Sequence, residues 1–190
     1  MKNNRQPLCA ALGALLLASA AVALAQTPPV PNAMKVTSES FSDHGRMASL
    51  YAGDSAGCGG NGISPQVAWS SLPAGTKSVA VFLVDPDGGK GLGVSHWVAY
   101  NIPANRGQIK RGEGMASGPG ITVGKNVAGA LAYRGMCPPV GDLPHHYVLT
   151  VAATDVEPGA LPAGLTRDEL LKALAGHGLQ SMSVVGLYSR

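Results

Sequence analysis

The sequence is poor in charge, in cysteine and, beyond residue 25, in long apolar runs. Charged side chains make up 13% of the 190 residues. Outside the N-terminal 25 residues, which contain Lys2 and Arg5, 12 basic residues face 11 acidic ones. A chain so close to neutrality lacks the basic surface that a nucleic-acid partner requires. No later stretch is apolar for long enough to span a membrane, so no transmembrane segment is expected after residue 25.

The first 25 residues have the pattern of a secretory signal peptide. Lys2 and Arg5 precede an apolar run rich in Ala and Leu, and Ala23-Leu24-Ala25 is a small-residue cleavage signal. We therefore expect a periplasmic or secreted protein that begins at Gln26. Residues 26–34, which contain three prolines, are expected to form an extended lead-in. The remaining residues 35–190 suit one domain with a single core.

Two cysteines, Cys58 and Cys137, lie beyond the predicted cleavage site. In an exported protein such a pair is expected to form a disulfide. The alternative is that both thiols bind a metal together with histidines. It is less favoured, because neither cysteine belongs to a short Cys-x-x-Cys spacing.

Strand patterns outnumber helix patterns in residues 35–190. Short apolar or alternating segments predict strands at residues 34–38, 65–69, 79–84, 96–102, 121–123, 145–153 and 182–188. The rest of residues 105–125 is interpreted as loop without a core pattern. One helix is predicted at residues 166–176, where Thr166 and Glu169 form a capping box, and His177 is expected to complement the dipole at its end. Many short strands and one late helix indicate a mainly β, antiparallel sandwich of two sheets.

Acidic and imidazole side chains gather around one predicted hairpin. Asp85 and Asp87 end the strand at 79–84, and His96 opens the next one. A nearby carboxylate would favour the charged form of an imidazole, although Asp-Pro-Asp-Gly-Gly is also ordinary turn chemistry. In the strand at 145–153, His145 and Tyr147 share one face and His146 takes the other.

Four ordered motifs resemble the phosphatidylethanolamine-binding protein family, whose bacterial members are called Raf kinase inhibitor-like proteins. The resemblance covers about residues 35–190 and departs from the family pattern at Gly88, Gly89, Ser95 and Met136. The motifs are Asn61-Gly62-Ile63-Ser64-Pro65 with Trp69, Asp85-Pro86-Asp87, His96-Trp97-Val98 with Asn101-Ile102-Pro103, and Cys137-Pro138-Pro139-Val140-Gly141 with His145-His146-Tyr147.

The resemblance implies a Greek-key sandwich with a small anion pocket at one end. Family members accept phosphate-type head groups there. The implied pocket residues are Asp85, Asp87, His96, His145 and Tyr147, with Pro138 and Pro139 as its wall. We expect the carboxylates to keep both imidazoles protonated, so that His96, His145 and Tyr147 donate hydrogen bonds to one oxyanion.

The expected function is the binding of a small anionic ligand or phosphorylated head group, without a cofactor and without catalysis. The alternative is a metal-dependent hydrolase that uses Asp85, Asp87, His96 and His145, since carboxylate and imidazole suit zinc. The chain contains no His-Glu-x-x-His motif, which favours binding. Because some family members inhibit kinases or proteases, modulation of a protein partner is a further hypothesis. A homodimer is another.

Overall fold

The computed structural model describes residues 33–190. The predicted signal peptide and nearly all of the lead-in lie outside the described residues. The strands are β1 Lys35–Thr37, β2 Gly45–Arg46, β3 Val67–Ser70, β4 Ser78–Asp85, β5 Val94–Pro103, β6 Gln108–Ile109, β7 Thr122–Val123, β8 His145–Thr154 and β9 Gly178–Tyr188. The α-helix is α1, Arg167–Ala173, and short 3-10 helices occupy Ser49–Tyr51, Gly89–Gly91, Ala104–Arg106 and Glu113–Met115. Within residues 33–190, no helix is long and apolar enough to cross a membrane.

These strands form two sheets. The small sheet has the order β1-β3-β6, and the large sheet has the order β2-β9-β8-β4-β5-β7. Neighbouring strands are antiparallel, except that the short β2 runs parallel to β9. The prediction of a mainly β, two-sheet fold with one late helix is therefore confirmed. The Greek-key connection stays a prediction.

Strand β4 is buried on both faces and lies at the centre of the packing. Val79, Val81 and Leu83 belong to the main core, together with residues of both sheets. Ala80 and Phe82 point the other way, into a smaller cluster that includes Leu170 of α1. Because both faces are covered, the strand reads as a continuous apolar run and not as an alternating one.

Helix α1 begins as predicted and ends early. The Thr166 Oγ1 atom accepts the Glu169 N–H, and a Glu169 carboxylate oxygen accepts the Thr166 N–H at 2.8 Å. The helix ends at Ala173, and β9 already begins at Gly178. The imidazole of His177 lies 2.8 Å from a carboxylate oxygen of Asp155. Its side-chain partner is thus an acidic residue, and the role at the helix dipole stays a prediction.

The interpretation of residues 105–125 as loop without a core pattern is wrong in part. Strand β6 lies in this segment and pairs with β3. Ile109 is fully buried and Ile121 nearly so, and both belong to the main core. A two-residue strand is too short to show any periodicity, which explains why the pattern did not reveal it.

Candidate functional site

Strand β4 ends at Asp85, whose carboxylate organises the following turn. Its Oδ1 atom accepts the backbone N–H groups of Asp87 and Gly88, each at 2.9 Å. This is the turn chemistry expected of an Asp side chain. The residue is only 3% exposed. Gly88 packs so closely that an added Cβ atom would lie 2.9 Å from the Asp85 Oδ2 atom. Asp85 therefore fits both the turn interpretation and the pocket interpretation. Its Oδ1 atom serves the turn, and its Oδ2 atom remains available to a different partner.

That partner is His145, at the start of β8. Its Nδ1 atom lies 2.8 Å from Oδ2 of Asp85. Its Nε2 atom lies 3.5 Å from a carboxylate oxygen of Asp142, which is half exposed. Burial by itself would lower the pKa of the His145 imidazole, but the hydrogen bond and charge of Asp85, with a contribution from Asp142, raise the net pKa above its ordinary value. His145 thus favours its cationic form.

His96, at the start of β5, is in a different electrostatic state. Its Nδ1 atom lies 2.8 Å from the carbonyl oxygen of Arg134. A carbonyl can only accept, so Nδ1 carries the proton. Burial lowers the pKa of His96, and this effect outweighs the favourable charge of Asp85. The expectation that both imidazoles are kept protonated is therefore wrong for His96. Its Nε2 atom carries a lone pair and lies 4.0 Å from Oδ2 of Asp85, too far for a direct hydrogen bond.

Tyr147 lies on the same face of β8 as His145, as the alternation predicts. Both side chains are buried, whereas His146 between them is exposed. The Tyr147 ring contacts that of His96 edge-on, with centroids 5.3 Å apart. Burial raises the pKa of its phenol, so the hydroxyl stays protonated. Among residues 33–190 this buried hydroxyl has no hydrogen-bond partner.

Asp87 behaves differently from Asp85. Its Oδ2 atom accepts the backbone N–H of His146 at 2.7 Å and lies 2.9 Å from the His146 Nδ1 atom. The backbone hydrogen bond of His146 is the main cause that lowers the pKa of the Asp87 carboxyl. Asp87 lines the same cavity as the two pocket histidines, but the imidazole it pairs with is that of His146, so the expectation that it holds a pocket imidazole is wrong. Its role in ligand binding stays a prediction.

A cavity of about 340 Å³ lies between these side chains. Three ionisable residues that the sequence interpretation missed also line it: Lys90, Arg134 and Asp142. Only their approach to the cavity in three dimensions reveals them, since none belongs to a recognisable motif. All seven predicted ligand-binding residues line the cavity, namely Asp85, Asp87, His96, Pro138, Pro139, His145 and Tyr147.

A larger cavity of about 570 Å³ lies on the other side of the turn that joins β4 to β5. Its ionisable lining residues are Lys125, Arg167 and Asp168. It holds neither a histidine nor a buried acid, so the smaller cavity is the better candidate for a polar ligand.

The predicted disulfide forms part of the cavity wall. The Cys58 and Cys137 sulfurs are 2.00 Å apart, and Cys137 lines the cavity together with Pro138 and Pro139. The guanidinium of Arg190 donates to the carbonyl oxygens of Gly57 and Pro138, the neighbours of the two cysteines. The disulfide and the last residue of the chain therefore join the same two loops.

Two catalytic arrangements find no support in this geometry. Within residues 33–190, no group of three or more His, Cys, Asp and Glu side chains is arranged to hold a metal. Residues 53–57 read Gly-Asp-Ser-Ala-Gly and match the Gly-x-Ser-x-Gly pattern of serine hydrolases, which the sequence interpretation missed. That pattern requires a strand-to-helix turn, whereas Ser55 lies in a loop turn with its Oγ atom 3.1 Å from Sγ of Cys58. The described residues thus support neither arrangement.

Solved structures share this fold. The crystal structure of YbcL from Escherichia coli, described as a member of the mammalian PEBP family, matches with a TM-score of 0.77 and 30% identity, covering 83% of this chain and 98% of that one. A putative phosphatidylethanolamine-binding protein homologue, CT736 from Chlamydia trachomatis, matches with a TM-score of 0.71 and 29% identity, covering 84% and 99% of the two chains.

Sequence comparison leads to the same group. A UPF0098 protein from Aquifex aeolicus is 35% identical over 160 residues, which is 83% of this chain and 89% of its own length. The UPF0098 protein YbhB from Escherichia coli is 33% identical over 159 residues, which is 82% of this chain and the whole of YbhB. The family model described as phosphatidylethanolamine-binding protein matches residues 37–189. The chain therefore belongs to the phosphatidylethanolamine-binding protein family.

Proposed function

We propose that this protein is an exported, non-catalytic binding protein that holds a small phosphate-type anion or phospholipid head group in the cavity at the end of β4 and the starts of β5 and β8. The main observation that supports this proposal is the state of the Tyr147 hydroxyl. It is buried, lines the cavity and has no partner among residues 33–190. A buried hydroxyl without a partner costs about 1–3 kcal/mol, and a ligand oxygen in the cavity would remove that cost.

The charged groups around the cavity explain how an anion is tolerated beside Asp85. The Asp85 carboxylate accepts two backbone N–H groups and pairs with His145. Its charge is thereby offset before any ligand enters. Lys90 and Arg134 add positive charge to the lining. The anion then receives hydrogen bonds from the His145 imidazolium and the Tyr147 hydroxyl, of which the former is the stronger because it is charged.

The ligand must also supply a hydrogen. His96 presents a lone pair on Nε2, and Asp85 presents a carboxylate oxygen 4.0 Å away. Two acceptors that face each other favour a donor between them. A singly protonated phosphate monoester or the ammonium group of phosphoethanolamine provides one. Sulfate, which carries no proton near neutral pH, does not.

Calorimetric titration with phosphoethanolamine, inorganic phosphate and sulfate tests this pattern. We expect the first two to bind and sulfate to bind much more weakly. The affinity for phosphate should fall as the pH rises, because His145 loses its charge at its raised pKa, whereas inorganic phosphate keeps a proton as HPO4²⁻ and continues to supply the required hydrogen. Equal binding of sulfate and phosphate would contradict the required hydrogen.

Two histidine variants separate the pocket from the surface. His145→Ala removes a charged donor and should cost about 1.5–3 kcal/mol of binding free energy. His177→Ala is the matched control, since His177 also pairs with an acid at 2.8 Å but lies outside the cavity. The His177→Ala variant should bind the ligand with the affinity of the wild type. If His145→Ala binds as well as the wild type, the site assignment fails.

Export belongs to the same proposal. The cavity wall contains a disulfide, and disulfides persist in oxidising compartments such as the periplasm. The N-terminal sequence of protein recovered from the periplasm or medium is expected to begin at Gln26. Recovery of a chain that still begins at Met1 would contradict signal cleavage.

A further inference from the structure

A carboxylate lies at the place where the proposed ligand receives its strongest hydrogen bond. The Nδ1 atom of His145 is taken by Asp85 at 2.8 Å, so Nε2 carries the only N–H that the imidazolium can offer to a ligand. The Oδ2 atom of Asp142 lies 3.5 Å from this Nε2 atom. Asp142 also lines the cavity. An anion that binds His145 therefore meets the negative charge of Asp142 at the same nitrogen.

The contact of Asp142 with His145 is weaker than that of Asp85. A charged N–H···O hydrogen bond usually spans about 2.7–2.9 Å, and the Asp142 oxygen is farther away than that. The Asp142 side chain is 50% exposed, whereas that of Asp85 is buried. Water therefore competes for the Asp142 carboxylate. An incoming anion can displace Asp142 from Nε2, while Asp85 stays in place.

The loop that carries Asp142 is held by its backbone and not by side-chain packing. The Gly141 N–H donates to the Arg190 carbonyl oxygen at 3.1 Å, and the Asp142 N–H donates to that of Pro139 at 3.3 Å. The next side chain, Leu143, is 85% exposed. The Asp142 side chain can therefore rotate away from the imidazole, while the backbone keeps its carboxylate at the edge of the cavity.

Of the three acids that line the cavity, Asp142 is the one whose charge is offset least. Asp85 accepts two backbone N–H groups besides its contact with His145. Asp87 accepts the backbone N–H of His146 and pairs with its imidazole. Among residues 33–190, His145 is the only basic side chain that forms an ion pair with Asp142. Once an anion occupies that imidazole, the Asp142 carboxylate lacks a cationic partner.

Building on the proposed function of the cavity, we propose that Asp142 determines its specificity: it disfavours ligands that carry negative charge alone and favours phosphate monoesters with a cationic group beside the phosphate. In such a ligand, the phosphate accepts from Nε2 of His145, and the cation binds the displaced Asp142 carboxylate. The proton of the phosphate still serves His96 and Asp85, so the cation is free for this contact.

The cations of the lining cannot supply this selectivity. Lys90 and Arg134 line the cavity, and they attract the phosphate of either ligand class. A carboxylate distinguishes the two classes, because it repels the phosphate and attracts the cation. Asp142 combines such a carboxylate with a position next to the ligand-facing nitrogen of His145.

Two ligands with the same skeleton test this role by calorimetric titration at about pH 6, near the second pKa of a phosphate monoester. Ethyl phosphate is phosphoethanolamine with hydrogen in place of the ammonium group. The wild type should prefer phosphoethanolamine. Asp142→Asn should bind ethyl phosphate about fivefold more tightly than the wild type does, the upper range for an exposed charge pair.

The same variant should bind phosphoethanolamine no more tightly than the wild type, because the lost repulsion is matched by a lost attraction. Asp142→Glu keeps the charge and should keep the wild-type preference. Asp155→Asn is the matched control, since Asp155 is 44% exposed and lies 2.8 Å from the His177 imidazole but outside the cavity. It should leave both affinities unchanged.

A preference that is the same in the wild type and in Asp142→Asn would overturn this role. Equal losses for both ligands would mean that Asp142 only positions the His145 ring, and equal gains would mean that it only repels the phosphate. In either case the cavity still binds phosphate, and the proposed function stands. If the wild type and Asp142→Asn bind neither ligand, both proposals fail.

Discussion

The Nδ1 atom of His145 lies 2.8 Å from the Oδ2 atom of Asp85, a residue 60 positions earlier in the chain. This pair connects the end of β4 to the start of β8, and it raises the pKa of His145. The carboxylate receives its other hydrogen bonds from its own turn. The protonation of His145 is therefore determined by a side chain that the backbone holds in place.

Replacing Asp85 with Asn tests this dependence. The amide keeps an oxygen for the turn but loses the charge, so the pKa of His145 should fall, since burial continues to lower it. NMR titration of the imidazole measures the change. Asp142→Asn should have a smaller effect, because Asp142 is half exposed and lies 3.5 Å away. An unchanged His145 pKa in Asp85→Asn would show that another group sets its charge.

The two pocket histidines should have opposite effects on stability as the pH changes. The raised pKa of His145 stabilises the fold below about pH 6.5, and this contribution is lost as the pH rises through the folded pKa. The lowered pKa of His96 favours the fold above about pH 6.5, and this contribution is lost as the pH falls below that value. Urea unfolding of His145→Ala and His96→Ala at several pH values measures both differences. A common direction for both variants would contradict the assigned states.

Tyr147→Phe should separate stability from binding. It removes a buried hydroxyl that has no partner among residues 33–190, so the free energy of unfolding without ligand should stay equal or increase. Ligand binding should weaken by about 1 kcal/mol. Tyr133→Phe is the matched control, because the Tyr133 hydroxyl donates to the Tyr51 carbonyl at 2.7 Å. That variant should lose stability. A clear loss of stability in Tyr147→Phe would show that its hydroxyl already has a partner.

Gly88→Ala should disturb the cavity by steric contact alone. An added Cβ atom would lie 2.9 Å from the Asp85 Oδ2 atom and 2.8 Å from a Val94 methyl group. Overpacking of this kind costs about 1–3 kcal/mol, and the displaced carboxylate should also weaken ligand binding. Gly118→Ala places its Cβ in open space and should change stability by less than about 0.5 kcal/mol. Denaturant unfolding and calorimetry compare the two, and equal effects would rule out the steric cause.

Removal of the disulfide should destabilise the protein strongly. Cys58 and Cys137 are separated by 79 residues, and closing a loop of that length contributes about 4.5 kcal/mol on the chain-entropy model. The double variant Cys58→Ser/Cys137→Ser should therefore unfold at a much lower urea concentration than the oxidised wild type. An unchanged unfolding midpoint would mean that the contacts of Arg190 and the surrounding loops hold the structure together without the disulfide.

Much of the fold could be predicted, because local patterns specify it. The apolar run of β4, the alternation in β8 and the capping box of Thr166 each depend on residues that are close in sequence. The short β6 could not be found in this way, since its only evident role is to place Ile109 in the core beside β3.

The sequence predicted residues that line one cavity, but it did not predict their electrostatics. The motifs identify Asp85, His96 and His145 by type and order. The lowered pKa of His96 depends on its burial, which outweighs the hydrogen bond to the carbonyl of Arg134, 38 residues away. The choice of His146 as the partner of Asp87 depends on how two strand ends meet. Neither property follows from sequence spacing.

The two acid–histidine pairs also restrict how β4 and β8 can align. Asp85 contacts His145 on the buried face, and Asp87 contacts His146 on the exposed one. A shift of β8 by one residue reverses which side chains face the core. It would leave at most one of the two acids with an imidazole partner and would move Tyr147 out of the interior. These four side chains at the strand ends therefore also discriminate against misaligned sheets during folding.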